Sequence, residues 1–154
     1  MIEITDISIE EINCIKELWE ELNKIHYKDS VYFKDHYNSF TFERRIEKFT
    51  AVNASNIKIS VAKENDAVLG YCISTKEGSN GEIDSLFTDT KIRGQGIGKQ
   101  LLNRHVEWLK ENGCSKLRVA VSYGHESAVK NFYNKAGFYE RMLCFELKDN
   151  SAKK

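Results

Sequence analysis

The run Arg93-Gly94-Gln95-Gly96-Ile97-Gly98 is the first part of this 154-residue chain whose residue types could do chemistry. A strand-like stretch over 82–88 and a polar turn over 89–91 lead into it. A long helical stripe follows, with Ile97, Leu101, Leu102, Val106, Trp108 and Leu109 on one apolar side and Gly113 at the stop. A glycine-rich turn that runs into a helix start is an anion site. Free backbone N–H groups point outward, the helix dipole adds positive potential, and residues without a Cβ let a phosphate approach. Two familiar anion loops fail on spacing. A dinucleotide loop counted from Gly94 would need a third glycine where Lys99 stands. A P-loop ending at Gly98-Lys99 would need glycine at Arg93 and a hydroxyl residue at Gln100.

The spacing that fits is R-x-x-G-x-G, Arg93 to Gly98, after a strand and into a helix. This resembles the pyrophosphate loop of the GNAT N-acetyltransferase superfamily, which binds acetyl-coenzyme A. A second stretch, SYGHESAVKNFYNKAGF over 122–138, looks like the family's strand-to-helix segment, ending in Phe132-Tyr133-Asn134-Lys135-Ala136-Gly137-Phe138. The resemblance implies acetyl-CoA as cosubstrate and no metal. The pyrophosphate would sit on Arg93, Gly94, Gln95, Gly96, Ile97, Gly98 and Lys99. The backbone of Leu86, Phe87 and Thr88 would hold the pantetheine amides and supply an oxyanion donor. Tyr133 would face the coenzyme's sulfur. Many members carry Asn where this chain has His125. That residue is read either as a donor to the pantetheine arm or as a simple helix-start residue.

Acetyl transfer to an amine needs a proton acceptor, because an alkyl ammonium has a pKa of about 10. Glu82 and Asp84 alternate with Leu86 and are expected on one face of the strand. Asp84 is the favoured base, with Glu82 second. Tyr133 is expected to hydrogen-bond the leaving thiolate, since full proton transfer from a phenol to a thiolate is slightly uphill. The function expected is direct acetyl transfer to a primary amine in a ternary complex. The alternative is a catalytically silent acyl-CoA-binding module.

Composition bounds the rest. Lys plus Arg and Asp plus Glu both number 23, giving zero formal net charge, which argues against nucleic acid or an anionic membrane as partner. Cys14, Cys72, Cys114 and Cys144 are widely spaced, so neither a zinc site nor a disulfide framework is indicated, and reduced thiols in a cytoplasmic protein are expected. No run approaches membrane-spanning length and no signal peptide opens the chain.

The elements that must position these residues are legible in order. A short strand over 2–5 is followed by a helix over 9–27, with Ser8 and Glu11 as a capping box. The segment 26–40 is dense in aromatics, with His26, Asp29, Tyr32, Asp35, His36 and Tyr37 as candidates to hold a cationic amine. Thr41 caps a helix over 42–52. Strands over 57–63 and 68–75 turn at Asn65-Asp66. After the long helix come a strand over 116–121, a helix over 126–136, and strand pieces over 138–147. The tail 148–154 is expected to fray. The order is βααβββαβαβ in one domain, 1–154: an α/β, GNAT-like, mostly antiparallel mixed sheet with helices on both faces. The resemblance also allows a homodimer through the closing strands. A small-molecule or peptide amine is the expected acceptor.

Overall fold

The computed structural model describes residues 1–148. Five strands form one sheet in the order β1-β2-β3-β4-β5. They are β1 (Glu3–Ile7), β2 (Ile57–Glu64), β3 (Ala67–Glu77), β4 (Asn80–Thr88) and β5 (Lys116–Val119). The first three pairings are antiparallel and β4–β5 is parallel. The helices are α1 (Lys16–Asp29), α2 (Lys34–Ser39), α3 (Phe42–Thr50), α4 (Ile97–Glu111) and α5 (Glu126–Lys135). A mixed sheet with helices on both faces is therefore observed.

Each face of the sheet has its own core. On one, Ile59, Val61, Tyr71, Ile73 and Phe87 pack against Leu18, Trp19 and Leu22 of α1 and Phe42 and Phe49 of α3. On the other, Ala62, Cys72 and Ile83 pack against Leu101, Leu102 and Leu109 of α4, with Phe132 and Tyr133 of α5 beside them. Strand alternation sorts residues between the two cores, and the helical stripes cover them. Thr41 caps α3 as expected, its hydroxyl accepting from the Arg44 N–H at 3.2 Å.

Three expectations need correction. The first helix does not begin as an α-helix: residues Ile9–Ile15 wind as a 3-10 helix before α1. Ile9, Ile12 and Ile15 recur every third residue and all pack into the first core. A three-residue turn lines them up, whereas an α-turn would fan them apart. No capping box forms: the Ser8 side chain makes no cap bond, and its carbonyl accepts from the Glu11 N–H at 3.0 Å. Second, the dense segment contains a helix of its own, α2. Third, no strand forms over 138–147. A strand exists only where a neighbour completes the ladder. Here Phe145 and Leu147 stand 91% and 94% exposed. The tail expected to fray falls almost wholly outside the described residues.

A buried polar chain crosses the middle of the sheet. The His105 ring on α4 is fully buried, with Nδ1 2.6 Å from the Ser74 hydroxyl and Nε2 2.9 Å from the Ser60 hydroxyl. The Ser60 hydroxyl in turn donates to Asp6 at 2.6 Å, and Asp6 also pairs with Lys58 and Arg104. Burial, helped by Lys58, pushes the imidazole down to about 3, so the ring stays neutral.

Two predictions follow from this packing. A Cβ at Gly81 would lie 2.8 Å from a Leu109 methyl carbon, and Leu109 is fully buried. Gly81→Ala should therefore cost about 1–3 kcal/mol by overpacking, read from urea unfolding. Because the fold favours neutral His105, its stabilising contribution is full above pH 6.5 and declines as pH falls toward about 3. His105→Gln should flatten the stability–pH slope in that window by up to about 1.4 kcal/mol per pH unit.

Candidate active site

The site starts where one ladder stops. β4 pairs with β5 from Asn80–Lys116 to Ile83–Val119, and there β5 ends. β4 runs on to Thr88, so the edge of Asp84–Thr88 that faces away from β3 has no strand partner among the described residues. The chain after β5 turns aside and returns as α5. The gap is a cleft lined by the 83–86 stretch of β4, by Val119, Ala120 and Val121, by His125, Val129 and Tyr133, and by Leu22 and His26 of α1. The backbone of Leu86, Phe87 and Thr88, expected to serve a coenzyme, lies on this open part of β4.

A bulge sits at the same place. Ile73 pairs with Ser85, but the next β3 residue, Ser74, pairs with Ile83, so Asp84 is the extra residue. A bulge shifts the alternation by one. Glu82 and Asp84 remain on the α3 face, both reaching Lys48, at 3.3 and 2.6 Å. Leu86 does not share that face, as the alternation implied. It packs into the opposite core, across from Cys72.

The carboxylates are differently placed. The Asp84 side chain has no exposed surface; one oxygen meets Lys48 and the other accepts from the Thr75 hydroxyl at 2.6 Å. Arg45 donates to its carbonyl at 2.9 Å. Burial and the adjoining Glu82 carboxyl raise the Asp84 pKa against the pull of Lys48 and Thr75. Glu82 is 34% exposed at its side chain. Burial pushes it up, but the contact with Asp84 and the Lys48 charge prevail and hold it below its ordinary value. Of the two carboxyls, Asp84 is therefore the one shifted toward holding a proton and Glu82 the one shifted toward the charged form.

Tyr133 lines the cleft from α5, packed edge-on between Phe132 and Phe138, with ring centroids at 5.1 and 6.1 Å. Burial raises its phenol well above the usual range. Its hydroxyl has no hydrogen-bond partner among the described residues. A hydroxyl that resists ionisation is suited to donate a hydrogen bond, not to release its proton.

The glycine loop stands at the end of the same strand. Ile92 and Ile97 are buried and peg its two sides, while residues 93–96 are exposed. Gly96 takes φ +78° at the start of α4, and no atom lies within 4 Å of where its Cβ would be. The helix's first N–H groups, from Ile97 to Lys99, have no acceptor within the helix; the first such bond runs from Gln100 to Gly96 at 3.0 Å. Arg93 folds back, donating from Nε and Nη2 to the Thr88 carbonyl at 3.2 and 3.1 Å over the Phe87 ring. Gly98 faces Phe132 of α5, which ties the loop to the Tyr133 helix.

Of the dense segment, His26, Asp29 and Tyr37 come to the cleft. His125 Nδ1 lies 2.9 Å from Asp29, the His26 ring is edge-on to His125 at 5.0 Å, and the Tyr37 hydroxyl lies 2.5 Å from the Ser122 hydroxyl. Burial and His125 push His26 down to about 4. Asp35 and His36 stay exposed on α2, and Tyr32 stacks on Tyr123. The Asp29–His125 pairing was not visible in sequence, because its partners lie 96 residues apart and only His125 falls in a recognised segment. Among the described residues no group of three or more His, Cys, Asp or Glu could hold a metal ion, and no helix is long and apolar enough to cross a membrane.

The chain is 33% identical over 63 residues to the thialysine N-epsilon-acetyltransferase of Bos taurus, 38% of this chain and 37% of the relative. It is 25% identical over 108 residues to glucosamine 6-phosphate N-acetyltransferase 1 of Oryza sativa subsp. japonica, 65% of this chain and 63% of that one. The chain spans 37% and 63% of the length of these two relatives, less than two thirds of each. In fold it is similar to the PaiA N-acetyltransferase of Thermoplasma acidophilum, solved with coenzyme A, with TM-score 0.70, 20% identity, and 88% of each chain covered. The sequence also matches the acetyltransferase (GNAT) family across residues 15–138. Loop placement, open strand edge and sequence meet in one conclusion: this chain belongs to the acetyltransferase (GNAT) family.

Proposed function

We propose that this protein transfers the acetyl group of acetyl-CoA to a primary amine by direct attack within a ternary complex. The observation that carries the reading is the open edge of β4, flanked at one end by the glycine loop and faced by Tyr133. The pyrophosphate takes the N–H groups from Gly94 to Lys99, with Arg93 and Lys99 adding modest charge from exposed positions. The pantetheine arm runs along Leu86, Phe87 and Thr88 like a missing strand, and a free N–H there stabilises the thioester oxygen as charge builds on it.

The Glu82–Asp84 pair draws the cationic amine and takes its first proton. That proton enters through Glu82, the exposed member, and rests on Asp84, the more basic one. Tyr133 then hydrogen-bonds the departing thiolate. The acceptor is a small-molecule or peptide amine, consistent with the amine-bearing compounds in the relatives' names. A cytoplasmic setting accords with four free cysteines. A homodimer is proposed through the exposed apolar residues of 138–147.

The deciding experiment is calorimetric titration with acetyl-CoA beside a Gly96→Glu variant. Binding is expected for the native protein and its loss for the variant, whose carboxylate would occupy the anion's place. No binding by the native protein would end this reading. In a thiol-release assay over an amine panel, Tyr133→Phe should lower kcat with little change in coenzyme affinity. Asp84→Asn should lose about 10²–10⁴-fold with a strongly basic amine, and much less with one already neutral at the assay pH. Tight coenzyme binding with no turnover across the panel would instead favour a silent acyl-CoA-binding module.

A further inference from the structure

Amide formation from an ammonium releases two protons from one nitrogen. The first leaves before attack, and the carboxylate pair above accounts for it. The second leaves as the carbon–nitrogen bond forms, when the nitrogen becomes strongly acidic. Asp84 holds the first proton and is fully enclosed, Glu82 does not line the cleft, and Tyr133 is a donor, so the second proton needs another acceptor.

His125 is built to do so. It precedes α5 and lines the same cleft as Tyr133. The resemblance would give it to the pantetheine arm, but its Nδ1 is already held by Asp29 at 2.9 Å. The contact is fixed from both sides. Gly124 adopts φ +103°, and a Cβ there would collide with the Asp29 carbonyl, so the turn sits directly on the end of α1. The Tyr37–Ser122 hydroxyl pair clamps the same turn to α2. The His125 side chain is 10% exposed and Asp29 30%, so the pair is largely sheltered but not sealed. A carboxylate on Nδ1 fixes the proton there and leaves Nε2 with a lone pair. His26, edge-on at 5.0 Å, is kept neutral and adds no repelling cation.

We infer that His125, oriented by Asp29, accepts the second amine proton at Nε2. As the nitrogen bonds to the acetyl carbon, that proton passes to the imidazole. The carbon–sulfur bond then breaks, and the sulfur leaves as a thiolate hydrogen-bonded by Tyr133. His125 is a catalytic residue in this scheme and Asp29 a positioning one. The inference rests on the acetyl transfer proposed above.

The test uses the full chain, with ethylamine and trifluoroethylamine as acceptors at saturating acetyl-CoA. Trifluoroethylamine is already neutral, so it needs no first deprotonation but still has a second proton to lose. His125→Asn should lower kcat about 10²–10⁴-fold with both amines, whereas the loss from Asp84→Asn shrinks with the neutral one. Coenzyme A affinity of His125→Asn, measured by calorimetry, should stay within about threefold of native, a shift under the 1.4 kcal/mol of a tenfold change. If kcat is kept and coenzyme affinity drops, His125 belongs to the pantetheine arm and the inference falls. Imidazole nitrogen NMR of the native coenzyme A complex gives a second reading, independent of any acceptor. The Nδ1–H tautomer is expected for His125, and Asp29→Asn should populate the other. An Nε2–H tautomer in the native complex overturns the inference. Failure of the native protein to bind coenzyme A is a separate outcome that removes the underlying function.

Discussion

The parallel ladder between β4 and β5 ends after Val119, and the rest of the site depends on that ending. Below it, the two strands are locked: Leu109 of α4 presses on Gly81 so closely that no side chain fits between them. Above it, backbone groups of β4 have lost a partner, and a strand edge inside a protein is a standing demand for hydrogen bonds. An extended ligand with amide groups answers that demand. The same opening lets α1 and the start of α5 meet across the gap, which joins Asp29 to His125. One short strand therefore makes both the open edge and the place where the end of α1 and the turn before α5 touch.

The electrostatics around β4 fall into two neighbourhoods. The α3 face gathers Arg45, Lys48, Glu82 and Asp84 around the bulge, so charge is concentrated but compensated. The cleft holds groups that burial keeps neutral, Tyr133 and His26 among them. The bulge at Asp84 lets one strand serve both, because it turns two successive side chains, Asp84 and Ser85, to the same face and hands Leu86 to the other.

How much of this was legible in sequence follows from how local each signal is. The glycine loop, α4, the Tyr133 helix and the Asn65 turn are written in a few adjacent residues, and all appear as read. The grouping of Leu86 with Glu82 and Asp84 failed because strict alternation has no knowledge of a bulge, which exists only in the pairing with β3. The early helix was misjudged in type because Ile9, Ile12 and Ile15 fit an α-stripe and a 3-10 line almost equally well. The strand pieces expected over 138–147 fail because a strand needs a ladder partner, which no window along the chain can supply. The Asp29–His125 pair arises where two distant turns are packed together, and no window along the chain contains both.

The Asp6–Ser60–His105–Ser74 chain has a consequence for how the sheet is assembled. Asp6 and Ser60 are cross-strand partners on β1 and β2, and Ser74 lies on β3, so one imidazole on α4 contacts two neighbouring strands directly and a third through the Ser60 hydroxyl. A slip of β2 by one residue would turn Ser60 to the opposite face and bring Ile59 or Val61 against the ring. Apolar side chains would tolerate that exchange, since either core accepts them. A buried imidazole with a missing partner does not. The histidine thus acts as a key cut for one alignment of the strands, and it proofreads the sheet that later has to hold the cleft open at the right residue.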